Sequence, residues 1–176
     1  LVGSEMCIRD RAKGITSGYF PVGAALMSGK VASVFENSAS SDAGIFHGYT
    51  YSAHPVGAAA VCACLSETQR ISTKDNAGVR GKQLYEGVQR LKKKFDVIGD
   101  VRGGQGLMAA IEVVSDPNKK TPMDMNTMKK LHQKTYEAGA MVRLGLNNIL
   151  MSPPLVISEA EIDQILDALD YGFSSI

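Results

Sequence analysis

The strongest constraint on the fold comes from the second half of the chain, where helical and extended patterns alternate in short segments. Beyond Asp75, apolar residues recur every three or four positions with lysine and glutamine between them, which predicts an amphipathic helix. Two apolar runs, 97–102 and 107–114, then predict strands on either side of the glycine cluster 103–106. The apolar helix positions are Leu84, Val88, Leu91 and Phe95.

The same alternation continues to the end of the chain. Ser158 is a candidate first residue of the last helix, because Glu161 three residues later completes a capping box. We therefore predict that residues 76–176 form a small α+β domain, with helices on one side of an antiparallel sheet. Its other predicted elements are a helix over 128–138 that ends at Gly139 and short strands over 142–144 and 148–151.

Residues 12–75 have a different texture, rich in glycine, alanine and serine. Pro55 suits the first turn of a helix that extends to Arg70. This helix is apolar almost all round, so we expect it to be buried in something larger than this chain contains. The preceding elements are predicted as a strand over 23–27, a weak helix over 30–37 and a loop over 38–47.

The first eleven residues, LVGSEMCIRDR, follow neither the helical nor the strand period. They resemble the translation of a sequencing adaptor joined to a gene fragment. We therefore interpret residues 1–11 as a non-native segment. A genuine but poorly ordered N-terminus is the alternative.

Composition excludes several classes of protein. The 176 residues carry a formal net charge of +1, which gives no electrostatic basis for binding nucleic acid or an anionic membrane. Cys62 and Cys64 have no histidine or acid at ligand spacing, so we expect buried small hydrophobes and no metal site. The odd number of cysteines and the lack of a signal peptide favour a cytoplasmic location.

Lys13 is the only charged residue between Ala12 and Gly29. Its small neighbours would let a bulky ligand approach the amine. Removal from water favours the neutral amine, which is the nucleophile that forms a Schiff base. The alternative is a lysine that extends its amine to solvent.

A second uncharged tract, HGYTYSAHP at 47–55, concentrates hydroxyl, aromatic and imidazole groups ahead of a predicted helix. Hydroxyls and backbone N–H groups at a helix start suit a phosphate group. For His47 and His54 we favour a structural role, in which each holds the loop by hydrogen bonds, over acid–base work.

These two tracts resemble the signature segments of the class III aminotransferases, pyridoxal-phosphate (PLP) enzymes of fold type I. The resemblance begins with AKGITSGYFPVGA at 12–24 and HGYTYSAHP at 47–55. It continues through Val101-Arg102-Gly103, Gly106-Leu107-Met108 and Met151-Ser152-Pro153-Pro154-Leu155. It implies an α/β fold, in which residues 12–75 are the C-terminal part of the large PLP-binding domain and residues 76–176 are the small C-terminal domain.

The resemblance also implies roles for individual residues. Lys13 would bind PLP as a Schiff base and move a proton between the substrate and cofactor carbons. Thr50 would bind the cofactor phosphate of the neighbouring subunit, with Tyr49 beside it lining the pocket. The protein would then be a homodimer with shared active sites that acts on small amines and keto acids.

The substrate class depends on Arg143. Amine:pyruvate and related ω-aminotransferases have an arginine at the matching place, which binds the substrate carboxylate and swings aside for amines that lack one. A guanidinium offers the bidentate geometry that a carboxylate prefers. The ornithine and acetylornithine branch has its arginine roughly where this chain has Leu150. We therefore predict transfer of an amino group from an ω-amino acid or amine to a keto acid such as pyruvate.

Four alternatives remain open at this stage. The chain resembles the adenosylmethionine-8-amino-7-oxononanoate aminotransferase of the biotin pathway as well. The semialdehyde aminomutase is disfavoured, because its lysine segment usually lacks the order Ala-Lys-Gly-Ile-Thr. The chain could also be a truncated and catalytically inactive fragment, because the family's upstream active-site residues are absent from it. A non-enzymatic interaction module is the last alternative, although such a module needs no isolated lysine.

Overall fold

The computed structural model describes residues 8–40 and 43–176, with residues 8–11 described by their backbone. The chain separates into two compact units, Leu1–Ile71 and Ser72–Ile176. The division lies beside Asp75, where the sequence pattern changes. The assignment of the first unit to a larger PLP-binding domain stays a prediction.

Within residues 8–40 and 43–71, the first unit has two short strands and two helices. Strand β1 (Ile8–Arg11) pairs antiparallel with β2 (Ala24–Met27), and a single 3-10 turn at Lys13–Ile15 lies between them. Helix α1 spans Gly29–Glu36, and α2 spans Pro55–Arg70 with Pro55 in its first turn. These elements agree with the predicted strand and helices. The pairing of β1 shows that residues 8–11 take part in the fold, while their suspected non-native origin stays a prediction.

Burial in the first unit is sparse. Among residues 12–40 and 43–71, only Thr16 and Gly57 are buried. The predicted helix α2 is therefore present, but its apolar side chains are covered very little by the rest of this unit. Cys62 is exposed and Cys64 half-buried, so the prediction of buried cysteines was wrong for Cys62.

The second unit is built on a five-stranded antiparallel sheet. Its strands are β3 (Ile98–Arg102), β4 (Ala109–Asp116), β5 (Thr121–Pro122), β6 (Arg143–Leu144) and β7 (Asn148–Met151). Four of them lie in the order β3-β4-β7-β6, and β5 lies outside this order and pairs with residues 114–116 of β4. All the pairings are antiparallel, as predicted. The two-residue strand β5 was not predicted.

Three helices complete the second unit: α3 (Thr73–Lys94), α4 (Met125–Glu137) and α5 (Glu159–Phe173). Buried residues of all three helices and of strands β3, β4 and β7 form one hydrophobic core. The four predicted apolar positions of the first of these helices contribute to it, with Phe95 partly buried. Because buried and less buried residues alternate along β4, one face of the sheet carries this core.

Local capping determines where two of these helices begin. The Ser158 hydroxyl accepts a hydrogen bond from Glu161 N, and the Glu161 carboxylate accepts one from Ser158 N. The predicted capping box of α5 is therefore confirmed. Asp124 caps α4 by accepting from the backbone N–H groups of Asn126 and Thr127. Among the described residues, no helix combines the length and the apolar composition needed to cross a bilayer.

Candidate active site

Lys13 opens the 3-10 turn of the first unit and its side chain is exposed. Its backbone has φ 55°, and Ser17 four residues later has φ 52°. A residue with a Cβ pays roughly 1–2 kcal/mol in this left-handed region. Such strain persists where surrounding contacts hold it, and it concentrates at functional sites. Contacts with neighbouring residues must therefore hold Lys13 in this backbone conformation.

Thr16 supplies the central contact of this turn. It is 1% exposed, and its Oγ1 donates a hydrogen bond of 2.7 Å to the carbonyl of Phe20. The backbone N–H of Tyr19 donates in turn to the Thr16 carbonyl at 3.0 Å. From α2, the Cys64 Sγ lies 3.8 Å from the carbonyl of Gly14. The turn is thus fastened from within and from the neighbouring helix.

The Phe20 ring joins the turn to the start of α2. A Cβ placed on Gly57 would lie 2.9 Å from Phe20 Cε1, so a side chain at this position would displace the ring. The same ring lies 5.4 Å from the His54 ring, centroid to centroid. Packing of Phe20 therefore places the lysine turn against the first turn of the helix.

Tyr49 and Thr50 lie in a second turn that is closed by Ser52. The Ser52 Oγ accepts from Tyr49 N at 2.8 Å, and Ser52 N donates to the Tyr49 carbonyl at 2.9 Å. Thr50 is at the tip of this turn and exposed, and Tyr49 is 76% exposed. The His47 ring contacts Tyr49 edge-on, with centroids 5.4 Å apart.

His54 has the structural role that the sequence predicted for it. Its Nδ1 accepts a hydrogen bond of 3.2 Å from Val56 N and so caps α2. Its ring contacts those of Phe20 and Tyr51, with centroids 5.4 Å and 5.9 Å away. The structure therefore brings together the two turns that carry Lys13 and Thr50 through one histidine.

Arg143 belongs to the second unit, where it lies exposed in the edge strand β6. Its register partner on β7 is Leu150, so the two positions compared in the sequence lie directly opposite one another. Leu150 is in turn opposite Ala110 on β4, and Ala110 is opposite Arg102 on β3, so these four residues form one row across the sheet. Arg102 lies 3.2 Å from the Asp100 carboxylate and 3.9 Å from that of Glu112, whereas no ion pair to Arg143 occurs among the described residues.

A cleft of about 900 Å³ lies beside Arg143, between α4, α5 and the segment 150–157. Asn76 of α3 holds that segment, because its Nδ2 donates to the carbonyls of Leu155 at 2.8 Å and Ile157 at 3.0 Å. The Ser-Pro-Pro wall of the cleft is thus anchored to a helix of the core.

Sequence reasoning missed several supporting residues. Thr16, Phe20, Gly57 and Asn76 were not singled out, although Thr16 is a β-branched polar residue among small ones and Gly57 follows a helix-starting proline. The contacts of Phe20 with Gly57 and of Asn76 with Leu155 join residues that are distant along the chain, so no local pattern indicates them. Among residues 8–40 and 43–176, no cluster of three or more His, Cys, Asp or Glu side chains suits a metal ion.

Comparison with known proteins places this geometry in a family. The profile of the class III aminotransferases matches residues 6–171. An uncharacterized aminotransferase of Sinorhizobium fredii is 34% identical over 181 residues, which cover 99% of this chain and 38% of that protein. The taurine–pyruvate aminotransferase of Bilophila wadsworthia is 32% identical over 94% of this chain and 38% of its own length.

Solved structures agree. An amine transaminase from an uncultivated Pseudomonas species, in its PLP-bound internal aldimine form, superposes with a TM-score of 0.87 and 37% sequence identity. The match covers 96% of this chain and 38% of that one, so the chain spans well under half of the relatives it matches. The predicted α/β fold, that of PLP-dependent fold type I transferases, is confirmed, and the chain belongs to the class III aminotransferase family.

Proposed function

We propose that this chain supplies the cofactor lysine of a PLP-dependent aminotransferase, which moves an amino group from an ω-amino acid or amine to a keto acid such as pyruvate. The observation that carries the proposal is the placement of Lys13. Its exposed amine stands on a left-handed turn that is fastened by Thr16 and Phe20. Family membership and the taurine–pyruvate and amine transaminase relatives support the reaction class.

The residues around Lys13 fit a bulky aldehyde cofactor. A Cβ built on Gly14 or on Gly18 would meet nothing within 4 Å, so there is free space beside the backbone of both glycines near Lys13. PLP, when bound, supplies the electron sink for the reacting carbon. Lys13 would hold the cofactor through its Nζ, and the same amine, when free, would accept the substrate proton and return it.

Thr50 and Tyr49 are the proposed cofactor contacts of the second turn. The exposed Thr50 hydroxyl can donate to a phosphate oxygen, and the exposed Tyr49 ring offers an apolar wall with a polar tip. We propose that they serve the active site of the neighbouring subunit in a homodimer. The sparse burial in the first unit supports such an assembly, because its apolar side chains need further protein surface to cover them.

Arg143 is the proposed carboxylate-binding residue. It is exposed at the sheet edge, without an ion-pair partner among the described residues, and it lines the cleft beside Ser152 and Pro153. A free guanidinium at such a place can grip a carboxylate in bidentate fashion. Arg102 on the same sheet row is already paired with acids and provides the matched control.

The test of Lys13 uses the chain itself and a chimera in which it replaces the matching 38% of the Pseudomonas amine transaminase. Each protein is mixed with PLP, reduced with sodium borohydride and digested, and the modified lysines are identified by mass. We expect selective modification of Lys13 in the chimera, with little at the exposed Lys30 of α1, and loss of this modification in Lys13→Arg. Equal modification of Lys13 and Lys30 in both proteins would overturn the proposal.

The same chimera tests the substrate class. We expect Arg143→Ala to raise the KM for pyruvate by about tenfold or more, since a charge-assisted pair contributes about 1.5–3 kcal/mol. The KM for an amine without a carboxylate should change little, and Arg102→Ala should leave both values nearly unchanged. An equal rise for the two substrates would contradict the role of Arg143.

A further inference from the structure

We propose that His54 is a positioning residue that holds the Lys13 turn and the Thr50 turn in one fixed relation. Its ring contacts Phe20 from the first turn and Tyr51 from the second. Its Nδ1 accepts from Val56 N, which ties the same ring to the start of α2. The inference deepens the proposed function and, in its catalytic consequence, rests on it.

The two turns need such a support because their backbones are strained. The described residues contain five non-glycine positions with positive φ, and three of them lie in these segments: Lys13, Ser17 and Ala53. Ala53 immediately precedes His54 and has φ 56°. Left-handed residues of this kind persist only where neighbouring contacts over-determine them.

Few other contacts could supply this support. No hydrophobic side chain among residues 12–40 and 43–71 is buried, so the turns do not rest on an apolar core within this unit. What joins them is a continuous path of contacts. The Thr16 hydroxyl holds the Phe20 carbonyl, the Phe20 ring packs on Gly57 and His54, and the His54 ring reaches Tyr51.

The two functions of His54 can be separated by substitution. His54→Asn keeps a side chain that caps helices well but removes the ring. His54→Phe keeps a ring of similar extent but removes the acceptor for Val56 N. The positioning role therefore predicts opposite effects of the two variants on the turns and on the helix start.

Amide hydrogen exchange on the chain measures both effects. Tyr19 N reports the first turn, Ser52 N the second and Val56 N the cap. In His54→Asn we expect exchange at Tyr19 and Ser52 to accelerate together by about two- to tenfold, the range that aromatic contacts account for, with Val56 unchanged. In His54→Phe we expect faster exchange at Val56, with both turns protected as in the unmodified chain.

His47→Asn is the matched control, because the His47 ring contacts Tyr49 and, among the ring contacts of residues 12–40 and 43–71, none joins it to the first turn. It should accelerate exchange at Ser52 and leave Tyr19 unchanged. The positioning role would be overturned if His54→Asn left both turns protected. It would equally be overturned if His47→Asn affected Tyr19 as strongly as His54→Asn does.

Borohydride labelling in the chimera measures selective PLP modification of Lys13, which a general loss of stability in the first unit would not change in the same way. His54→Asn should lower PLP modification of Lys13 several-fold, and His54→Phe should restore it. Unchanged labelling in His54→Asn would remove the catalytic consequence of the positioning role. If Lys13 is not selectively labelled even in the unmodified protein, the proposed function fails, and hydrogen exchange still decides whether His54 links the turns.

Discussion

The two compact units of this chain are organised by different forces. In the second unit, a single core of buried residues extends from Leu84 to Phe173 and joins three helices to the sheet. In the first unit, no hydrophobic side chain among residues 12–40 and 43–71 is buried, and aromatic rings such as Tyr19, Phe46 and Tyr51 are largely exposed. Hydrogen bonds, a helix cap and ring contacts hold its turns instead.

This difference shows how scaffold and chemistry are divided in the chain. Truncation of a side chain in such a core lowers the free energy of unfolding strongly, because buried methylene groups and close packing both contribute to stability. The turns of the first unit leave the side chains of Lys13 and Thr50 exposed to ligands. Each of these turns is held by a few separate contacts, so one substitution can remove one contact. Substitutions in the two units should therefore differ in magnitude and in kind.

The largest expected effect comes from truncation of matched leucines. Leu169 of α5 is 0% exposed and Leu65 of α2 is 51% exposed. Leu169→Ala should lower the free energy of unfolding by about 2–5 kcal/mol, because it leaves a cavity in the core. Leu65→Ala should change it by less than about 0.5 kcal/mol in the chain alone. Chemical denaturation measures both changes. Similar losses of stability in the two variants would contradict the exposure of Leu65.

The next effect concerns the close packing of α3 on the glycine cluster 103–106. A Cβ on Gly81 would overlap the carbonyl oxygen of Gly106, whereas a Cβ on Gly78 would meet nothing within 4 Å. Gly81→Ala should destabilise the second unit by about 1–3 kcal/mol through overpacking against backbone. Gly78→Ala should stabilise it by up to about 1 kcal/mol, because alanine is the better helix former. Thermal unfolding distinguishes the two signs, and stabilisation by both would contradict the described packing of α3 on the glycine loop.

The smallest effect compares two helix caps. The Ser158 hydroxyl caps α5, whereas Ser28 at the start of α1 makes no side-chain cap bond. Ser158→Ala should cost about 1 kcal/mol, and Ser28→Ala close to nothing. Urea denaturation at neutral pH measures this difference. Equal losses would show that α1 is also capped by its serine.

The Ser158 cap should depend on pH. Hydrogen bonds from the backbone N–H of Ser158, and then from its hydroxyl, lower the pKa of Glu161 below its ordinary value. Because the folded pKa is below the unfolded one, this stabilisation is complete above the unfolded pKa and is lost as the pH falls through the folded pKa. The deficit of Glu161→Gln should therefore shrink in acid. If the stability lost in Glu161→Gln were the same at every pH, the hydrogen bonds from Ser158 to the Glu161 carboxylate would be contradicted.

Much of the fold could be predicted because its signals are local. The spacing of Leu84, Val88 and Leu91, the proline at the start of α2 and the pair Ser158 and Glu161 each act within a few residues. Strand β5 escaped prediction because two residues carry no period. The exposure of Cys62 was also mispredicted, since apolar neighbours along the chain do not determine which face of a helix is covered.

The site was only partly accessible from the sequence. Lys13 was identified from its uncharged setting and from the resemblance to the class III aminotransferases, and Tyr49, Thr50 and Arg143 were identified from that resemblance. Their roles stay predictions. Their supports were not identified, since Phe20 meets His54 and Asn76 meets Leu155 across long stretches of chain. Such contacts depend on how elements pack.

The order of residues alone indicated the family, through motifs that resemble those of the class III aminotransferases. It also predicted the sequence of helices and strands and contained an isolated lysine in an uncharged tract, because these follow from composition, period and spacing. Tertiary structure decided the strained backbone at Lys13, the cross-strand position of Arg143 opposite Leu150 and the ring of His54 between two turns. The physical reason is that backbone strain and strand register are stabilised by contacts between residues far apart in sequence, whose energies no local pattern contains.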